Sequence, residues 1–417
     1  MLIRDPIHGD VDLSRLEVEV LDLPAVQRLR GIKQLGTAYL VYPGCVHTRF
    51  EHSLGACAVA HRLIAALRQR GAIIAGELAE AIGCAALIHD VTHVPFGHTL
   101  EDERRLFPRH DKGTRLAQQL DGELGAHLAR LGIKDLVAAL LGAQSAAAVP
   151  RWAQQIVAST IDADLLDYLR RDAYCAGLRQ DYDDRIFRYF VIDGDQLGLN
   201  LTKHGMERPD AWSETTALLR LRYFLTERVY YHHTKVAAGA MVSKAVELAL
   251  PLGFGEQSLL EHNDWTLLAA LAQLPDLGVR QLVARLQRRA LYKRGYAISC
   301  RTVAAADRSR LVAQYHDSPA ARRQAEAALA RTLGCRPHEL IIYCPALTVM
   351  KEAAVLVRRP SGLAPLNQDS AAAGSEIAAL EARYAALWRL YVFVPAEFAS
   401  ATAAAAREHF GYASEFA

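Results

Sequence analysis

Four side chains able to hold a metal ion fall within ten residues in the segment LIHDVTHVPFGH: His89, Asp90, His93 and His98. Imidazole and carboxylate together suit a divalent cation, and a hydrolytic centre keeps coordination positions open for water and substrate. The dipeptide His-Asp says little alone, since among 16 histidines about one such pair is expected by chance. Three occur. His316-Asp317 runs into Ser-Pro and His110-Asp111 follows Pro108-Arg109, whereas His89-Asp90 ends the apolar stretch ELAEAIGCAALIHD. Two adjacent ligands cannot close a site, so other segments must contribute. His52, in RFEHSLG, lies 37 residues upstream of His89, with Arg49 three residues before it. Downstream, IDADLLDYLRRDA spaces Asp164, Tyr168 and Asp172 by four. At about 100° per residue these three share a helix face. Asp162 falls on nearly the opposite side, the place of a cap or brace.

Those residues need helices to position them, and most of 52 to 330 spaces its apolar residues by three and four, with Gly or Pro between segments. Pro24 marks a helix start in LDLPAVQRLRGIKQLG. Residues 213 to 250 read as one long or kinked helix, with Ser213 as its N-cap. After about residue 335 the pattern turns to β-rich runs, LIIYCP, AAVLVRR and LYVFVP, around the loop-like SGLAPLNQDSAAAGS. The predicted fold is mainly α, a multi-helix domain over 1–334 with a small α+β unit over 335–417. A net charge of +2 makes bulk attraction to nucleic acid a weak expectation. Seven scattered cysteines without a CxxC pair suggest neither a disulfide framework nor a zinc ribbon. With no apolar leader and no run of 18 apolar residues, a cytoplasmic protein that does not enter a membrane is expected.

Read together, IRDPIHGDVDL, LPAVQRLRGIKQLG, TRFEHSLG, LIHDVTHVPFGH and IDADLLDYLRRD resemble the dNTP triphosphohydrolases of the sterile-alpha-motif and HD-domain type and related bacterial dGTPases. The likeness covers roughly residues 2 to 300. The chain opens almost at DPIHG, so no sterile-alpha-motif module is expected. The resemblance implies an HD domain with one divalent cation, Mg, Mn or Fe, on His52, His89, Asp90 and Asp164. It implies His93, His98 and His110 around the substrate α-phosphate, with His98 the candidate acid for the leaving 5′ oxygen and Glu101 its partner. Arg49 and Arg222 then meet phosphates, Tyr168 and Asp172 the sugar, and Tyr230 the sugar or base. Gln34 and Leu35 lie beside the 2′ position, whence the expectation of a deoxy substrate. The reaction implied is water attack at the α-phosphate, giving deoxynucleoside and inorganic triphosphate. Glu101 stands where the family often has Asp, and Leu165 where animal relatives have a phosphate-contacting Lys.

The same resemblance matches Asp22, Gln27 and Arg30 to a site reading an activating GTP or dGTP, and Arg289 and Lys293 to effector phosphates between subunits of a dimer or tetramer. Without it, Asp22 and Arg30 read as helix-start charge and a surface arginine, and ARLQRRALYKRGY as a solvated basic face. Two other functions fit the ligand set. One is an HD phosphodiesterase or phosphatase acting on cyclic nucleotides, alarmones or oligonucleotides. The other is a nucleotide- or RNA-binding module that keeps the metal as a staple. The sugar-side set disfavours the first and the histidine trio the second.

Overall fold

The three- and four-residue apolar spacing becomes a stack of helices in a computed structural model, which describes residues 1–110, 114–359, 362–368 and 372–416. A hairpin of β1 (Leu2–Asp5) and β2 (Gly9–Asp12) precedes α1 (Arg15–Leu21) and the single turn α2 (Pro24–Gln27), with Pro24 at its first position. The centre is α3 (Arg49–Gln69), in which 14 of 21 residues are buried. A helix buried on most of its circumference must be enclosed, and α4 (Gly76–Ile88) and α9 (Ala163–Cys175) pack against it. Between them run α5 (Arg115–Asp121), α6 (Glu123–Arg130), α7 (Lys134–Leu140) and α8 (Arg151–Val157).

The expected helix over 213–250 is two. Pro209, at the first position of α10 (Pro209–Leu225), starts the first, four residues before Ser213. A π turn over Thr226–Tyr230 widens its end, and α11 (His233–Ala249) begins anew with His232 as N-cap. Sequence spacing misses this break because the apolar rows continue on both sides of it. There follow α12 (Glu256–Leu259), α13 (Asp264–Ala272), α14 (Leu277–Gln287), α15 (Ala305–Leu311) and α16 (Pro319–Leu333), then α17 (Ala372–Ala385) and α18 (Ala399–Phe410).

The change of pattern near 335 is real, but the sheets cross it. β11 (Arg389–Val394) is the central strand of a three-stranded sheet and pairs antiparallel with both β7 (Lys293–Ser299) and β8 (Ile341–Tyr343), in the order β7-β11-β8. β9 (Leu356–Arg359) and β10 (Gly362–Pro365) join β3 (Phe190–Asp193) and β4 (Gln196–Leu199) in a four-stranded sheet, β9 running parallel to β4. Two-residue strands β5 (Thr202–Lys203) and β6 (Met206–Glu207) pair beside it. β10 also takes part of the segment that reads as loop. A cut at 334/335 therefore divides two sheets, because strands leave backbone groups unpaired until a partner arrives and here the partner is distant in sequence. Among the described residues no helix is long and apolar enough to cross a membrane.

Candidate metal centre

The end of α4 presents His89 and Asp90. The last carbonyls of a helix lack intrahelical partners, and one of them, of Ala86, takes the His89 Nδ1 proton at 2.7 Å. That leaves His89 Nε2 with its lone pair facing outward. On α3, His52 Nδ1 donates to Asp167 Oδ2 at 2.7 Å, and its Nε2 is aimed the same way. The two Nε2 atoms lie 3.2 Å apart. Asp164, in the first turn of α9, places Oδ1 2.9 Å from His52 Nε2 and 3.8 Å from His89 Nε2. Asp90 closes the ring, Oδ1 3.5 Å from His89 Nε2 and Oδ2 3.8 Å from His52 Nε2. Ligand atoms at right angles around bonds of about 2.1 Å are about 3 Å apart, so these separations fit a divalent cation with modest opening. Asp162 caps α9, accepting from the Leu165 amide at 2.8 Å, as its phase around the helix predicts.

Behind the ligands stands a brace the spacing did not reveal. Asp167 accepts from His52, from His8 Nε2 at 2.6 Å and from Arg171 at 2.8 and 2.9 Å. Arg171 reaches on to Asp5 at 2.9 Å, so the DPIHG motif serves to hold the ligand helix. Burial opposes the Asp167 charge, but the Arg171 guanidinium and the hydrogen bonds from His52 and His8 hold its carboxyl well below the usual range. Gly55 makes room: a Cβ there would lie 1.9 Å from Asp167 Oδ1. Asp90 is likewise held low, burial notwithstanding, chiefly by Arg49, whose Nη1 touches Asp90 Oδ2 at 2.6 Å. Arg49, expected on phosphate, is thus engaged by the ligand carboxylate.

The loop after α4 gathers the three histidines. The His93 and His110 rings stack at 3.6 Å, and His98 meets them edge-on at 5.0 and 5.2 Å. Phe96 and Gly97 both have positive φ, 60° and 50°, a strained conformation for Phe. Buried Asp264 pins this turn by accepting from the Phe96 amide at 2.8 Å. His93 is held neutral by burial and by the neighbouring Arg49 and His110. Glu101 bonds His110 Nδ1 at 3.1 Å, while His98 Nδ1 lies nearer Asp102 (3.2 Å) than Glu101 (3.6 Å). The expected His98–Glu101 pairing is therefore shifted: Glu101 serves His110, and Asp102, whose carboxyl the His98 hydrogen bond brings to about 2 against the pull of burial, serves His98. Asp111 lies outside the described residues.

On the other flank, Tyr230 donates to Asp172 Oδ2 at 2.7 Å, and His47 Nε2 contacts Asp172 Oδ1 at 2.8 Å. Arg222 lies 5.5 Å from the Tyr168 ring centre and 5.3 Å from that of Tyr230, with Nε on Glu352 at 2.9 Å. Gln34 is tied to this wall through its amide, which donates to the His47 carbonyl at 3.0 Å. Its buried Oε1 has no partner among the described residues, and Leu35 follows it, partly buried. The residues expected at an effector site lie elsewhere. Asp22 is an exposed C-cap, Gln27 and Arg30 bond each other at 2.8 Å, and Arg30 stacks on Phe50. Arg289 and Lys293 line a cavity of about 440 Å³ beside α11, with Arg294 and His233.

Residues 49–172 match the HD domain family and residues 213–415 the HD associated region. The chain belongs to the HD superfamily. It is 30% identical over 302 residues to an uncharacterized protein of Methanocaldococcus jannaschii, covering 70% of this chain and 58% of that one. It is 28% identical over 294 residues to the mouse deoxynucleoside triphosphate triphosphohydrolase SAMHD1, covering 60% and 44%. The chain thus spans about half the length of the curated relatives it matches. A phosphohydrolase from Bacteroides thetaiotaomicron shares the fold across 95% of this chain and 99% of its own, with a TM-score of 0.70 at 22% identity. Ligand-type atoms of His52, His89 and Asp90 lie within 4.8 Å of one another, and Asp164 Oδ1 approaches both histidines. Asp167, His8, His47, Asp264 and Glu352 are the functional neighbours that spacing missed.

Proposed function

We propose that this HD protein hydrolyses deoxynucleoside triphosphates to deoxynucleoside and inorganic triphosphate. The observation that carries the reading is one contiguous row of side chains: the histidine trio, joined through His93 and Asp90 at 3.2 Å to the His52, His89, Asp90 and Asp164 set, which His52 and Tyr168, ring centres 6.4 Å apart, join to the Tyr168, Asp172, Tyr230 and Arg222 group. His52, His89, Asp90 and Asp164 would hold a cation of the Mg, Mn or Fe class, which would supply charge neutralisation at the α-phosphate and acidify water. Arg222 and the free edge of Arg49 orient the triphosphate by charge-assisted hydrogen bonds. Asp172, fixed by Tyr230 and His47, receives the sugar hydroxyl. Leu35, beside the 2′ position, offers a 2′ hydroxyl no hydrogen-bond partner. The water oxygen bonds to the α-phosphorus and the bond to the 5′ oxygen breaks. That oxygen takes a proton from His98, which is half-exposed and backed by Asp102, and His98 is reprotonated from solvent.

The cationic cavity at Arg289 and Lys293 supports a further element of the same reading, activation by GTP or dGTP bound between subunits of an oligomer. Effector and assembly are then linked, so nucleotide shifts dimer toward tetramer. Anion-exchange analysis of each dNTP and NTP with Mg or Mn, with and without GTP, tests both parts. Triphosphate plus deoxynucleoside, absent with His89→Ala, is the expected result. Intact dNTPs throughout, or release of diphosphate, sinks the reading in favour of a phosphodiesterase or a binding module.

A further inference from the structure

A second cluster of ligand-type side chains lies on α1 and α3 and takes no part in the chemistry above. Cys57 and His61 are four residues apart, hence on one face of α3. Cys57 is five positions past His52, about 140° around the helix, so this face turns away from the HD ligands. Glu17 reaches it from α1. One of its carboxylate oxygens accepts the Ser14 amide at 2.9 Å, which fixes the side chain. The other lies 2.6 Å from His61 Nε2 and 3.6 Å from Cys57 Sγ, and Sγ to Nε2 is 3.7 Å. Glu17 and Cys57 are buried, and Glu17 and His61 line a cavity of about 360 Å³ shared with Asp12, Arg68 and Glu80. α4 is shaped around the cluster: a Cβ on Gly83 would sit 2.0 Å from Glu17 Oε1 and 3.0 Å from His61 Nε2.

We propose that Glu17, Cys57 and His61 form a second metal site, for Zn²⁺, whose fourth position faces this cavity and takes water. Thiolate, imidazole and carboxylate together select a borderline-soft divalent ion rather than Mg²⁺ or Ca²⁺. Tetrahedral zinc with bonds of about 2.3 Å to sulfur and about 2.1 Å to nitrogen and oxygen separates S from N or O by about 3.6 Å, and N from O by about 3.4 Å. The two sulfur separations already match. Only the Glu17–His61 contact must open, as the ion replaces the proton held between them and the thiol proton leaves to solvent. A buried glutamate–histidine pair with cysteine as mere filler needs neither a sulfur equidistant from both partners nor access from a cavity.

Titrating the full chain with Co²⁺ tests this without reference to hydrolysis, because the HD set contains no sulfur. The expected result is a near-ultraviolet thiolate-to-cobalt absorption band, kept in His89→Ala, lost in Cys57→Ser and removed by stoichiometric Zn²⁺. His61→Gln keeps the thiol and is expected to weaken Co²⁺ binding by at least about tenfold. No band with Co²⁺ in large excess, or a band unchanged by Cys57→Ser, overturns the site. Should Cys57→Ser not fold, unchanged Co²⁺ affinity in His61→Gln overturns it equally.

Discussion

Asp167 is fully buried behind His52, and it sets what that histidine can do. A carboxylate only accepts, so the His52 proton must sit on Nδ1 and the lone pair on Nε2. Asp167→Asn is expected to weaken Mn²⁺ binding by about 10- to 100-fold, read by calorimetry. It should also lower stability by about 3 kcal/mol or more, since buried Arg171 loses a charged partner. Asp162→Asn is the control on the same helix: asparagine caps as well as aspartate, so Mn²⁺ affinity should stay within a few-fold. Equal losses in the two variants would refute the distinction. The candidate ligand set was legible because His, His-Asp and Asp recur on successive amphipathic segments. Asp167 was not, because counting in fours from Asp164 steps over it to Tyr168, and its partner His8, like the Asp5 that holds Arg171, stands some 160 residues away in sequence. His47 lies in a loop, where no periodicity points at anything.

The histidine loop depends on elements that sequence order does not place near it. Arg104, just past Thr99–Glu103, bonds Glu326 of α16 and Glu247 of α11, and Lys244 bonds both carboxylates. Burial raises the cost of the Glu326 charge, but Arg104 and Lys244 outweigh it and bring the carboxyl to about 2 from an ordinary 4.5. A folded value below the unfolded one means stability that is complete above pH 4.5 and lost as pH falls toward 2. The total from this one group is about 3 kcal/mol. Denaturant unfolding at stepped pH should therefore show a steep decline across that window in the wild type. In Glu326→Gln the baseline is lower and the slope smaller by up to one proton, and equal slopes would remove Glu326 from the acid response. The amphipathic helices around this network were readable from spacing. The network was not, because Arg, Lys and Glu on those helices pattern like solvated faces, and only packing reveals that α11 and α16 bury them. The break at 231–232 was hidden for a similar reason, its residues being of types that helices tolerate.

At the scale of the whole chain, helical class was legible and division was not. Strand composition locates β8, β9 and β11, but nothing local says that their partners are β7 and β4. Residues 335–417 also supply Glu352 to Arg222, so the far end of the sequence reaches the candidate site. Truncation after residue 334 strips β7 and β4 of neighbours, exposes apolar faces of three buried clusters, and leaves edge strands open to pairing with other molecules. The expected product aggregates, binds a hydrophobic dye, and melts without a cooperative transition by circular dichroism. If residues 1–334 instead melt cooperatively as a soluble species, the shared sheets are dispensable and the boundary in the sequence pattern is also a folding boundary. A soluble fragment that still binds Mn²⁺ but has lost affinity for nucleotide would separate the two contributions. It would show that α3, α4 and α9 stand by themselves, while the proposed phosphate contact of Arg222 needs Glu352 to hold its side chain in place.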